Sequence, residues 1–309
     1  MDDNVKSIDF SCTKSSMTSS EGVRTMSDVF FTRDEMLSKA RNENFPVASR
    51  LLPSGVRSDL LAIYGFARLA DDLGDEAEGD RLALLDLLNA DLIRAASGTA
   101  VHPVLKELTP VIRKFELSLD PFQRLIEANR IDQRVNSYQS FDDLEEYCMY
   151  SAAPVGQLVL SVFGRSTAER VILSDKVCIA LQLVEFLQDV KEDAQRGRVY
   201  LPVEDMTRFG CTPSDLVKAN ATTALKSLIA MEVDRARELF TAGVELAASL
   251  PLRPRMAVVG FVAGGTAALD AINRAGNDVL QFRCRPTKFG FAKHALPKLV
   301  TTSLRGAGL

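Results

Sequence analysis

The segment YGFARLADDLGDE, Tyr64 to Glu76, sets Asp71, Asp72 and Asp75 within little more than one helical turn. Like charges four residues apart on a helix repel by about a few tenths of a kcal/mol. Such crowding requires either water on an outer face or a cation between the carboxylates. At about 100° per residue, Tyr64, Arg68, Asp71 and Asp75 fall within roughly 60° of one another. A second segment, LQLVEFLQDVKEDAQRGRVYLP from Leu181 to Pro202, has the same construction. Gln182, Glu185, Asp189 and Asp193 share a face within roughly 80°, and Lys191, Arg196 and Arg198 add positive charge beside it.

A carboxylate pair at i,i+4 suits a hard cation. Mg²⁺ takes one or two protein carboxylates and completes its shell with waters and substrate phosphates. Two facing pairs, Asp71 with Asp75 and Asp189 with Asp193, would therefore grip a diphosphate through Mg²⁺. Asp72 and Glu185 are further candidate ligands. Arg68, Lys191 and Arg198 would meet the outer phosphate oxygens, the arginines with a planar fork. One D-x-x-x-D is weak; two of them on apolar segments, each with adjoining bases, are a much stronger pattern.

The elements that carry these residues read as helices. Leu60, Leu61, Ile63, Phe66, Leu69 and Leu73 surround the first stripe, and Leu183, Val184, Phe186, Leu187 and Val190 surround the second. A helix apolar on most sides is buried, so its polar stripe is expected to face an internal cavity. The acids Glu76, Glu78 and Asp80 leave a solvated helix end as the competing reading of the first stripe. Gly197 is the expected stop of the second helix, and Val199 to Leu201 reads as extended. Leu, Ala, Glu and Arg dominate the chain from Arg33 onward, with proline and glycine at the joints and no series of alternating strands. The expected fold is all-α, a single-domain helical bundle spanning residues 31–285. Residues 1–30, rich in Ser and Thr, are expected as a disordered tail, and residues 286–309 as a C-terminal tail. The apolar run Met256 to Leu269 is too short to span a bilayer and reads as a buried helix. Its Gly260, Gly264 and Gly265 serve either close helix packing or room for a bulky apolar ligand.

Composition excludes other classes. Net charge is −4, without the basic stripe of a nucleic-acid binder. The five cysteines, Cys12, Cys148, Cys178, Cys211 and Cys284, form no C-x-x-C pair, and His102 and His294 lie far apart, which argues against zinc. Scattered cysteines suit buried packing in a reducing compartment, so the expected location is cytoplasmic. The basic clusters RPRM and RCRPTK read as solvated ends, with peripheral attachment to anionic membranes as the alternative.

On the two quoted motifs, the chain resembles the squalene/phytoene synthase family of head-to-head isoprenoid synthases. The segment FDDLEEYCMYSAAPVGQLVL resembles the family's central tyrosine-cysteine segment. ENFPVASRLLP, which contains Arg50, and YSAAPVG resemble the branch of bacterial hopanoid-type squalene formation. The resemblance implies an isoprenoid-synthase bundle around a central cavity, with Mg²⁺ as cofactor. It implies Asp71 and Asp75 as the first metal pair and Asp189 and Asp193 as the second. Tyr64, Arg68, Tyr147, Gln182 and Tyr200 are then candidate catalytic residues, and Arg50, Arg68, Lys191 and Arg198 candidate diphosphate contacts. One departure stands out: Glu185 occupies a position where the family often carries Asn. It would either add a metal ligand or disfavour a diphosphate there.

The branch implies ionisation of presqualene diphosphate and late addition of one water to give hydroxysqualene and diphosphate. Tyr147, Tyr150, Tyr200 and Gln182 are all candidates to orient that water. Functional coupling to a presqualene diphosphate synthase and to a hydroxysqualene reductase would follow. The alternative is condensation of two farnesyl or two geranylgeranyl diphosphates. A non-catalytic assembly role fits poorly, because all four motif aspartates are present.

Overall fold

Capping side chains, glycines and prolines mark out an all-helical chain. In a computed structural model, the described residues are 54–281, 284–285 and 288–306. Arg50, Cys12 and the N-terminal tail lie outside them. The helices are α1 (Ser54–Asp75), α2 (Arg81–Ser97), α3 (Pro103–Phe115), α4 (Asp120–Ile131), α5 (Phe141–Ser151) and α6 (Ala153–Val162). They continue with α7 (Ala168–Gln195), α8 (Val203–Phe209), α9 (Thr223–Leu239), α10 (Ala242–Ala248), α11 (Leu252–Arg274) and α12 (Lys288–Gly306). Among the described residues there is no strand, only one bridge between Ser137 and Val199.

Two apolar clusters hold the bundle. Phe66, Leu69 and Leu73 of α1 pack with Leu88 of α2, Leu105 of α3 and Phe122 of α4, where the Phe66 and Phe122 rings meet edge-on at 5.1 Å. The second cluster surrounds α7, which brings Val184 and Leu187 against Leu228 of α9 and Val262 of α11. Burying each such side chain stabilises the fold by roughly 1.5–3 kcal/mol. Hydrophobic burial thus fixes α1 and α7, the two stripe-bearing helices, in separate cores.

The run Met256 to Leu269 lies inside α11 as a buried core helix. A Cβ at Gly265 would overlap Phe240 and crowd Leu181, so this glycine serves close packing. The segment beyond residue 285 holds α12, which packs on α11 through Ala295 and Leu299. His294 Nε2 lies 2.7 Å from Asp270 Oδ2, and Arg237 reaches the same carboxylate at 2.6 Å. Cys148, Cys178, Cys211 and Cys284 are buried free thiols, as expected of packing cysteines.

A buried ion cluster joins α5, α8 and α9. Arg235 lies over the Phe141 ring at 4.1 Å and bonds Asp205 at 2.9 Å and Glu232 at 2.8 Å. Burial pushes the Glu232 carboxyl up from 4.5 to about 7, and Arg235 opposes only part of that. An acid whose folded pKa is raised contributes stability below its unfolded pKa and loses it as pH rises through the folded one. Glu232→Gln keeps an acceptor for Arg235 without ionising. Between pH 4.5 and about 8, urea denaturation should show the wild type losing on the order of 3 kcal/mol more than the variant. Equal pH dependence in both would mean that Glu232 is ionised throughout.

Candidate active site at the ends of α1 and α7

Helix α7 stops as its sequence demands. Its last residue is Gln195, Arg196 caps it, and Gly197 takes φ 82°, a left-handed conformation glycine adopts at no steric cost. The chain then turns back along the α4–α5 loop. Val199 N–H donates to Asn136 O at 2.8 Å, and Val203 N–H to Tyr138 O at 2.9 Å. This pinning fixes Arg198 and Tyr200 between the two stripes.

Arg198 Nη2 lies 2.6 Å from Asp75 Oδ1, a bond between the first motif and the segment after the second. Its burial would lower the guanidinium pKa, but Asp75, Tyr200 and Asp132 raise it instead, so Arg198 is held charged. Asp71 is exposed on α1, yet neighbouring protein takes the place of part of the water around its carboxylate. That lost hydration pushes its carboxyl up to about 7. The bond from Asn129 Nδ2 at 3.3 Å and the charge of Arg68 oppose the shift, while Asp75 and Asp72 add to it. Asp193 is likewise pushed up to about 7, first by burial and then by the charge of Asp189. A small cleft beside Arg198, with room for about one water, is lined by Phe186, Val190, Asp193, Val199, Tyr200 and Leu216. The Phe186 and Tyr200 rings stack at 4.0 Å.

The structure sorts the residues singled out from sequence. Asp75, Asp193, Arg198 and Tyr200 come together, and Asp71 stands one turn from Asp75 on α1. Glu185 and Asp189 are exposed along α7, and Gln182 Nε2 approaches Glu185 Oε2 at 3.4 Å, so the second stripe keeps one face. Tyr64 is half-buried on α1. Asp72 takes a different place: it is 3% exposed and receives Arg68 Nη2 at 2.7 Å, so Arg68 is held by a neighbouring acid on its own helix. Lys191 sits roughly 160° around α7 from Asp189 and Asp193. Its side chain has no ion pair or hydrogen bond among the described residues.

Three residues of the site escaped the sequence. Asn129 bonds Asp71. Asp132 Oδ2 accepts from Tyr147 Oη at 2.7 Å, and its Oδ1 from Tyr200 Oη at 3.2 Å. Gly74 lets Asn129 approach, since a Cβ there would overlap the Asn129 amide. Asn129, Asp132 and Gln133 fall at i, i+3 and i+4 near the end of α4. That is a short polar stripe on a helix whose other side is buried, the same signal read on α1 and α7.

The donors available to a metal are carboxylate oxygens, which suit hard cations. Among the described residues no three His, Cys, Asp or Glu side chains converge on one point. One or two carboxylates per ion, completed by water and phosphate, is the Mg²⁺ pattern. Asp71 and Asp193, both pushed up to about 7 beside like charges, fit a site whose charge balance includes a cation.

Comparison with known proteins bears on this geometry. The squalene/phytoene synthase family model matches residues 38–290. The crystal structure of squalene synthase HpnC from Alicyclobacillus acidocaldarius is 41% identical and superposes with a TM-score of 0.72, covering 79% of this chain and 95% of that one. Hydroxysqualene synthase from Zymomonas mobilis is 36% identical over 193 residues, 61% of this chain and 64% of the relative. Phytoene synthase from Arthrospira platensis is 30% identical over 256 residues, 78% of this chain and 83% of the relative. With both acidic motifs inside the matched region and an all-helical bundle around them, the chain belongs to the squalene/phytoene synthase family, whose members are head-to-head isoprenoid synthases.

Proposed function

We propose that the enzyme uses Mg²⁺ to ionise presqualene diphosphate and adds one water, giving hydroxysqualene and diphosphate. The observation that carries the catalytic part is the 2.6 Å bond between Arg198 and Asp75, which brings the two acidic motifs to one place. The choice of substrate is supported by the likeness to HpnC and to the Zymomonas enzyme. The Arthrospira likeness supports a second reading, condensation of two prenyl diphosphates.

In this reading Asp71 and Asp75 on α1, with Asp189 and Asp193 on α7, hold the metal. Mg²⁺, when bound, offsets charge developing on the departing diphosphate. Arg198 and Arg68 exchange their carboxylate partners for phosphate oxygens, with the fork geometry that a diphosphate requires. Phe186, Val190 and Leu216 make the surroundings of Arg198 apolar, which strengthens its attraction for a phosphate oxygen. In the last step water oxygen forms a C–O bond to the cationic carbon, one O–H breaks, and the proton passes to the released diphosphate.

The reading carries a cytoplasmic location, which suits four free buried cysteines. It also carries peripheral membrane contact, for which exposed Phe291, Leu296 and Lys293 on α12 offer apolar and basic surface. Functional coupling to enzymes that make presqualene diphosphate and reduce hydroxysqualene follows from the same chemistry.

The direct test gives pure protein and Mg²⁺ presqualene, farnesyl and geranylgeranyl diphosphates separately, with products identified by mass spectrometry. Hydroxysqualene from presqualene diphosphate alone supports the proposal; phytoene from geranylgeranyl diphosphate overturns it. Gly74→Ala provides a finer test of the metal site. A methyl there gains up to about 1 kcal/mol of helix propensity but displaces Asn129 from Asp71. The half-saturating Mg²⁺ concentration should rise several-fold with the thermal midpoint shifted by only a few degrees. Unchanged Mg²⁺ dependence would remove Asn129 from the site.

A further inference from the structure

Asp132 belongs to neither acidic motif, yet it stands where three structural features meet. It follows the last residue of α4, and burial raises its pKa, an effect opposed by the Tyr147 bond and by Arg198. Each of its oxygens is used: Oδ2 accepts from Tyr147 Oη at 2.7 Å, and Oδ1 from Tyr200 Oη at 3.2 Å. The two phenols come from α5 and from the pinned segment after α7, far apart in sequence. Their rings lie 5.9 Å apart, and Tyr138 packs against both at 5.2 and 6.0 Å. Tyr200 also lines the cleft beside Arg198.

We propose that Asp132 is a positioning residue that commits both phenolic protons to itself, so that Tyr200, the phenol that lines the cleft, turns only lone pairs toward the reacting substrate while buried Tyr147 holds the second carboxylate oxygen in place. A phenol whose proton is already donated acts purely as an acceptor. Such an oxygen accepts a hydrogen bond from the incoming water and leaves the water's own lone pair facing the cationic carbon. An oxygen free to rotate its proton would instead donate to the water and spoil that orientation. Asp132 has no direct role in bond making; it acts through the tyrosines. The proposal rests on the water-adding reading above and deepens it.

The test uses Asp132→Asn, which retains one acceptor oxygen and therefore holds only one phenol as before. With presqualene diphosphate, kcat should fall about 100-fold with KM and Mg²⁺ dependence little changed, the scale expected when a reacting group is misplaced. The product should shift from hydroxysqualene toward alcohols quenched at other carbons and eliminated hydrocarbons. Adding Asp132→Asn to the Tyr147→Phe/Tyr200→Phe double variant should cost nothing further, because the residues act as one unit. An undiminished loss on that background would show that Asp132 acts through Arg198 and would overturn the proposal. A substrate-free measurement separates this outcome from failure of the functional reading. The chain has five tyrosines and no tryptophan, so its intrinsic emission comes from tyrosine. A phenol bonded to a carboxylate emits weakly, and Asp132→Asn should raise the emission. Unchanged emission would overturn the positioning role even if the wild type makes hydroxysqualene. Raised emission beside an inactive wild type would leave the Asp132 contact standing and remove only the functional reading.

Discussion

Asp71→Asn and Asp189→Asn should each lower turnover by roughly 1000-fold or more, equivalent to about 4 kcal/mol of transition-state stabilisation. Asparagine keeps the size of aspartate but not the charge that binds a hard cation. The fold should persist, because both residues are solvent-accessible and lie outside the two apolar clusters. Asp71→Asn has a further consequence. The Asp71 carboxyl is pushed up to about 7 by lost hydration and by Asp75 and Asp72, so neutralising it relieves a local cost in the metal-free protein. Its thermal midpoint without Mg²⁺ should equal or exceed that of the wild type, a trade of activity against stability. Wild-type turnover should vanish in EDTA and return with excess Mg²⁺. Full activity in chelator would remove the metal from the account.

Replacement of Arg198 should have the next largest effect, and for two separable reasons. Arg198→Lys keeps the charge but loses the planar fork, so kcat should fall about 100-fold while stability changes little. Arg198→Met removes the cation that Asp75, Asp132 and Asp193 all face. The Arg198 side chain is only 17% exposed, so this variant should also unfold about 2 kcal/mol more easily. Kinetics and denaturation measured together separate the two reasons. If Arg198→Lys keeps full activity, Arg198 acts only as a bridge to Asp75 and does not meet diphosphate. Arg68→Lys should be impaired for the same geometric reason, but by less, since Asp72 holds Arg68 on its own helix.

Sequence periodicity was informative for what lies along one helix. The stripes on α1 and α7, the stop at Gly197 and the extended backbone at Val199 all follow from local spacing or from one residue's backbone preference. It was uninformative about partners from other helices. Arg198 was visible as a phosphate-binding base, yet its bond to Asp75 joins segments 123 residues apart, which no period records. Asp72, a candidate metal ligand from the sequence, instead pairs with Arg68. One step along a helix turns it about 100° away from Asp71, into the buried side where Arg68 reaches it. Asn129, Asp132 and Gln133 form a short polar stripe at the end of α4 without a repeated acidic pair, and it gains its meaning only where α1, α5 and the segment after α7 converge on it. The crowding of acids in the first motif thus has two resolutions: Arg68 compensates Asp72, and Arg198 compensates Asp75. Of the three acids of that turn, Asp71 has only the Asn129 amide as a hydrogen-bond partner among the described residues.

The measurement closest to the central claim is turnover of presqualene diphosphate with Mg²⁺ in ¹⁸O-labelled water. The account predicts one diphosphate released per hydroxysqualene formed, with a single ¹⁸O in the new hydroxyl and no second prenyl diphosphate consumed. A hydrocarbon product without oxygen, or a hydroxyl carrying only unlabelled oxygen from the departing diphosphate, would contradict it.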